Sequence, residues 1–103
     1  LFQSQIFFML YNNKIILMSI NELIAIVKNK LEAEIVIQNL KIEDKSFLHK
    51  NHKGHQDGKF HLKLIINSEE LSKTNKIIST KRIYHILDDE LKKYIHSIQI
   101  LFN

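Results

Sequence analysis

Residues 60–67, Phe60-His61-Leu62-Lys63-Leu64-Ile65-Ile66-Asn67, decide the fold. Successive side chains of a strand point to opposite faces. Phe60, Leu62, Leu64 and Ile66 therefore share one apolar face, with His61 and Lys63 on the other. A strand that is apolar on one side needs a second layer to cover it. The preceding sequence supplies one. Ser19-Ile20-Asn21-Glu22 is a capping box, in which the Ser hydroxyl caps a backbone N–H and the Glu reaches back. Ile20, Leu23, Ile24, Val27 and Leu31 then recur at helical spacing, with Lys28 and Lys30 off the stripe, predicting a helix over roughly 20–33.

Between these two elements, Leu40-Lys41-Ile42-Glu43 alternates as a strand, with the β-branched residues of Ile35-Val36-Ile37 just before it. Residues 45–59, rich in His and Lys, read as a loop that holds both glycines, Gly54 and Gly58. After residue 67, a polar stretch over 68–75 leads to a short helical turn through Ile77 and Ile78. Ile83, Ile86, Leu87 and Leu91 stripe a longer helix from about Thr80 to Lys93, whose negative C-terminal end suits Lys92 and Lys93. Ile98, Ile100 and Phe102 alternate through a last strand. The order α-β-β-α-α-β predicts an α+β domain with helices on one face of a small sheet.

At 103 residues and 12.2 kDa the chain suits one domain with a modest core. Its net charge of +4 permits nucleic-acid contact without demanding it. The absence of Cys excludes a disulfide scaffold and suits a reducing, cytoplasmic compartment. Residues 1–17 differ in character from the rest. Their apolar run is too short to span a bilayer and has no charged start or small-residue cleavage site. Met18-Ser19 reads as a natural start, so 1–17 are expected to be an upstream extension, disordered or loosely attached, before a domain over 18–103. The alternative is a short helix that binds a membrane surface or a partner.

Six histidines stand in a chain without a thiolate: His49, His52, His55, His61, His85 and His96. Histidine is the commonest metal ligand. The cluster His49-Lys50-Asn51-His52-Lys53-Gly54-His55 fits either a solvated loop tip or an adventitious zinc or nickel site. A dedicated structural zinc site prefers four fixed ligands, some of them Cys, which this loop does not offer. A lone His opening a strand, as in Ile95-His96-Ser97-Ile98, is by default a structural residue bonded to a carbonyl. His85 is expected to face solvent, and His61 to be structural. No catalytic residue is expected: the chain has no P-loop, no G-x-G-x-x-G and no nucleophile motif. Asp88, Asp89 and Glu90 read as solubilising carboxylates on an exposed helix stretch.

Several segments, taken in order, resemble the BolA family. Asp44-Lys-Ser46-Phe-Leu-His49 is similar to its D-x-S-x-x-H segment, and His61-Leu-Lys-Leu-Ile-Ile-Asn-Ser68 to its H-F-x-V-x-[IVL]-V-S strand, with Leu62 for Phe and Asn67 for Val. Leu71 stands at the Phe of F-x-G-K and Tyr84 at the Tyr of V-Y. Leu87, Glu90, Leu91 and Ile95-His96-Ser97-Ile98 follow L-x-x-E-L-x-x-x-[VI]-H-A-L. The resemblance runs over about residues 19–102. Lys73 replaces the family's usual Gly, and Ser79-Thr80-Lys81 replaces most of an R-H-R cluster that the family is suspected of using for nucleic acid or partners.

The resemblance implies a class II KH-like fold with a three-stranded mixed sheet. It also implies a partner, a monothiol glutaredoxin, with which such proteins share a [2Fe–2S] cluster. The glutaredoxin and a bound glutathione supply thiolates, and the BolA-like protein supplies histidine nitrogen. No cluster is expected in the isolated protein, whose free form is expected to be a monomer or weak dimer. By position in the motifs the final-strand ligand is His96. The loop ligand is His49, with His52 a close competitor. An imidazole in place of a thiolate lowers the negative charge and raises the reduction potential. It binds deprotonated, so such a site weakens as pH falls through about 6.5.

A second reading is a DNA-binding regulator that uses Lys73, Lys76, Lys81 and Arg82 as a basic patch. KH domains that grip RNA use a G-x-x-G loop between helices. Gly54 and Gly58 instead give G-x-x-x-G between strands, which argues against RNA.

Overall fold

The computed structural model describes residues 6–11, 14–46 and 59–103. Strands β1 (Ile6–Tyr11) and β2 (Lys14–Ser19) pair antiparallel as a separate two-stranded sheet, an element that sequence periodicity did not anticipate. Helix α1 (Ile20–Glu34) follows without a break. Its predicted cap forms: Glu22 N–H donates to Ser19 Oγ at 3.1 Å, and that hydroxyl donates to the Glu22 carboxylate at 3.2 Å. The reciprocal bond thus runs to the Ser hydroxyl rather than to its backbone. The helix ends at Ile35, so Ile35-Val36-Ile37 form its exit and not a strand.

Strands β3 (Asn39–Asp44), β4 (Phe60–Asn67) and β5 (Ile95–Phe102) form a three-stranded mixed sheet in the order β3-β4-β5. The first pair is antiparallel and the second parallel. Leu40, Ile42, Leu62, Leu64, Ile66, Ile98, Ile100 and Phe102 fall in register on one face and meet Leu23, Val27, Leu31, Leu71, Ile83 and Leu87 from the helices. Period-two alternation on the sheet and a 3.6-residue stripe on the helices thus build one α+β core.

The C-terminal helices are arranged differently from the expectation. Ser68 caps a short α2 (Glu69–Ser72), and Asn75 caps α3 (Lys76–Ile86), so the main helix starts before Thr80. Leu87 then leaves helical geometry at φ −98°, ψ 18°, and α4 (Asp88–Lys93) begins beyond it. The apolar stripe continues across the break because only one residue is non-helical. Glu90 corrects the reading of its stretch as solubilising. It is 6% exposed, and its carboxylate holds Lys30 of α1 at 2.8 and 3.0 Å. It is buried, three residues after Leu87, with its carboxylate turned to Lys30 of α1.

Candidate functional site

Strand directions bring three chain ends to one edge of the sheet. Because β3 is antiparallel and β5 parallel to β4, the end of β3 lies beside the starts of β4 and β5. Asp44 Oδ1 accepts the Ser46 N–H at 3.0 Å and the Ser46 hydroxyl at 2.6 Å, a local turn that closes β3. Ser46 Oγ in turn accepts the His61 N–H at 3.0 Å, and the His61 carbonyl accepts the Lys45 N–H at 2.7 Å. The Asp-x-Ser pattern is therefore a structural clasp that fastens the chain leaving β3 to the start of β4.

At the same edge β5 carries a bulge. Phe60 is opposite Ile95, and the next residue, His61, is opposite Ser97. Across this step β5 has one residue more than β4, and that residue is His96. Bulges bend a strand and re-aim a side chain, and they recur beside functional sites. His96 is exposed, between the buried Ile95 and the exposed Ser97.

The bulge gathers a cluster that sequence reading did not find. His61 lies on the sheet face opposite the main core, as its alternation predicts, yet it is 3% exposed. Its Nδ1 is 2.7 Å from Ser97 Oγ, and its ring meets the His96 ring edge-on, centroids 4.9 Å apart at 64°. A depression of about 550 Å³ opens on this face, lined by Lys45, His61, Leu62, Lys63, Ser97, Ile98 and Gln99. The pairing of His61 with Ser97, residues 36 apart in sequence, depends on the parallel register of β4 and β5, which no local pattern reveals.

The other expected ligands, His49 and His52, lie outside the described residues, as does His55. His85 is exposed on α3, away from this edge. Among the described residues no group of three or more His, Cys, Asp or Glu side chains is placed to hold a metal ion.

The basic residues divide. Arg82 is engaged by its own fold, with Nη1 2.6 Å from Glu70 and Nη2 donating to the Glu34 carbonyl at 2.8 Å. The Val36 N–H and then the Arg82 guanidinium hold the Glu70 carboxyl below its usual range. Lys73 is exposed just after α2. Lys76 and Lys81 share an outward face of α3 with Ile77, Thr80 and Tyr84. On the sheet, Lys41 and then Lys45 lower the Glu43 carboxyl, at 3.1 and 3.2 Å.

A small α+β domain with a mixed three-stranded sheet, and a histidine bulged out at the start of its last strand, defines the class. The chain matches the sequence profile of BolA-like proteins over residues 31–102. It is 31% identical over 75 residues to the DNA-binding transcriptional regulator BolA of Haemophilus influenzae, covering 73% of this chain and 70% of that protein. It is 31% identical over 80 residues to SufE-like protein 1 of Arabidopsis thaliana, covering 73% of this chain but 22% of that longer protein. The solved BolA domain of SufE1 from Arabidopsis superposes with a TM-score of 0.65 at 30% identity, covering 77% of this chain and 87% of that one. The chain belongs to the BolA-like family.

Proposed function

We propose that this protein is an adaptor that associates with a monothiol glutaredoxin and lends imidazole nitrogen to a [2Fe–2S] cluster held between the two. The role is iron–sulfur cluster assembly or delivery, or iron-status regulation. The observation that carries the reading is the bulge at the start of β5, which turns out the exposed His96. The donor set suits a site whose sulfur ligands come from another molecule. The sequence has no Cys, and the described residues hold no three-ligand group. His96, with His49 or His52 from the loop, would supply the nitrogen positions. Thiolates would come from the glutaredoxin and its glutathione. When bound, the cluster supplies one-electron chemistry and labile iron–sulfur bonds; this chain supplies orientation and a neutral donor. The setting we propose is the reducing cytoplasm, where such thiols persist. Among the described residues no helix is long and apolar enough to cross a membrane. Association without the cluster is part of the reading, so protein contact and cluster binding are separable.

The test is anaerobic cluster reconstitution with a monothiol glutaredoxin, followed by co-purification. Visible absorption and circular dichroism are compared for wild type, His96→Ala, His49→Ala and His52→Ala. Wild type is expected to differ from the glutaredoxin homodimer, and His96→Ala to lose that difference. Four spectra identical to the homodimer's refute the ligand assignment.

A second reading, DNA binding, is favoured by the relative named as a DNA-binding regulator and by the outward Lys76 and Lys81. Arg82 is occupied by Glu70, which leaves a smaller basic patch than four cations suggest. If the patch contacts phosphates, Lys76→Ala and Lys81→Ala each lower the log-affinity slope against log-salt by about 0.9. Unchanged slopes refute that reading.

A further inference from the structure

We propose that Ser97 and His61 are positioning residues for His96, holding its ring in one orientation before any partner arrives. The inference rests on the reading that His96 is a donor. An exposed imidazole on a strand samples several rotamers, and fixing one on binding costs free energy. The structure places a fixed platform beneath it. His61 is buried and clamped at its backbone by Ser46 and Lys45, and its Nδ1 is bonded to Ser97 Oγ. That bond ties the residue following His96 to the platform, so it pins the bulge itself. The edge-on packing of the two rings then restricts how His96 can turn.

His61 is not placed as a second donor. Its Nδ1 is bonded to Ser97 Oγ, and its Nε2 is buried. Its contribution is orientation, as outer-sphere groups orient ligating histidines elsewhere. The Ser97 hydroxyl is the accessible handle on this arrangement, because Ser97 is an exposed strand residue whose replacement leaves the core intact. The family pattern itself carries Ala here.

The experiment compares the full chain as wild type, Ser97→Ala and Ser97→Thr. In the free protein, ring-selective nitrogen and proton NMR reads the His61 tautomer and the His96 rotamer. Wild type is expected to show one His61 tautomer and one dominant His96 χ1. Ser97→Ala is expected to average both, and Ser97→Thr, which keeps the hydroxyl, to restore them. In the reconstituted glutaredoxin complex, Ser97→Ala is expected to lose cluster about tenfold faster than wild type. A Ser97→Ala protein whose His96 rotamer is unchanged overturns the proposal, even where its thermal stability falls. If wild type forms no mixed cluster, the adaptor reading fails, and the ring NMR alone decides whether the platform exists.

Discussion

Truncating Lys30 is expected to destabilise the protein more than truncating Glu90, although either change removes the same ion pair. The asymmetry follows from burial: the Lys30 side chain is 39% exposed and the Glu90 side chain 8%. In Glu90→Leu the freed ammonium still reaches water, and an apolar side chain takes a buried position. The cost is that of a partly exposed pair, about 1 kcal/mol or less. In Lys30→Met the stem is kept, but a carboxylate stays buried without its cation. Breaking a fully buried pair costs about 3–5 kcal/mol. Some solvent at Lys30 moderates this to about 2–3 kcal/mol, still well above the first change. The double variant Lys30→Met/Glu90→Leu replaces the pair by apolar contact and is expected within about 1 kcal/mol of wild type. Urea unfolding at pH 7, followed by far-ultraviolet circular dichroism because the chain has no Trp, gives all three values. Equal costs for the two single variants, or a greater cost for Glu90→Leu, would show that Glu90 is not the desolvated partner. The pair also matters to the site: Tyr94 N–H donates to the Glu90 carbonyl at 2.8 Å, and the Tyr94 carbonyl accepts the Phe60 N–H at 2.9 Å. Loosening α4 should therefore broaden the His96 resonances as well.

Leu64 is fully buried on the central strand, so Leu64→Ala is expected to cost about 2–5 kcal/mol. Ile77, 68% exposed, should change stability by less than about 0.5 kcal/mol as Ile77→Ala; chemical denaturation distinguishes the two. Asn75 Oδ1 accepts the Ile78 N–H at 2.8 Å, and Asn75→Ala is expected to cost about 1 kcal/mol by releasing the first turn of α3. Glu70 titrates below its ordinary value of 4.5 in the folded state. Its contribution is therefore present above that value and disappears as pH falls through the lowered one, where the unfolded chain binds more protons. Stability measured from pH 6 downward should fall less steeply in Glu70→Gln than in wild type; parallel curves would remove Glu70 from the acid response.

The elements most legible in the sequence were those in which local period and burial coincide. The strand over residues 60–67 alternates cleanly because one of its faces is the core, and its bounds match the structure. The start of α1 was readable because its cap lies within four consecutive residues. The later helices were less so. Their stripe through Ile83, Ile86, Leu87 and Leu91 runs across the Leu87 break, and periodicity cannot show an interruption that preserves phase. Glu90 was misread because charge alone suggests solvent, whereas its position three residues after a fully buried Leu turns it inward. His96 could be singled out by motif, but its bulge could not. A bulge is a relation between two strands, and here the partner strand lies more than thirty residues upstream.

The clasp, the bulge and the ion pair serve one arrangement. Asp44 and Ser46 fasten the chain leaving β3 to β4, and Lys59 stands immediately before β4 at the same edge. Lys59 Nζ donates to the Lys92 carbonyl at 3.3 Å, which joins that return to the last turn of α4. The Glu90–Lys30 pair anchors α4 to α1, and α4 delivers the chain to His96. Ser46 and Lys59, which flank the histidine-bearing sequence, are thus both tied down at the edge where His96 is turned out. A fold that needed only a stable sheet could end the loop anywhere along β4 and run β5 without a bulge. Antiparallel entry and parallel return place the end of β3 and the bulge of β5 together by topology. If the histidines at 49 and 52 serve a shared cluster and not the fold, His49→Ala and His52→Ala should each leave the unfolding free energy within about 0.5 kcal/mol of wild type, while the change that removes a ligand alters the cluster's spectrum. A large loss of stability would instead mean that the loop histidines belong to the fold.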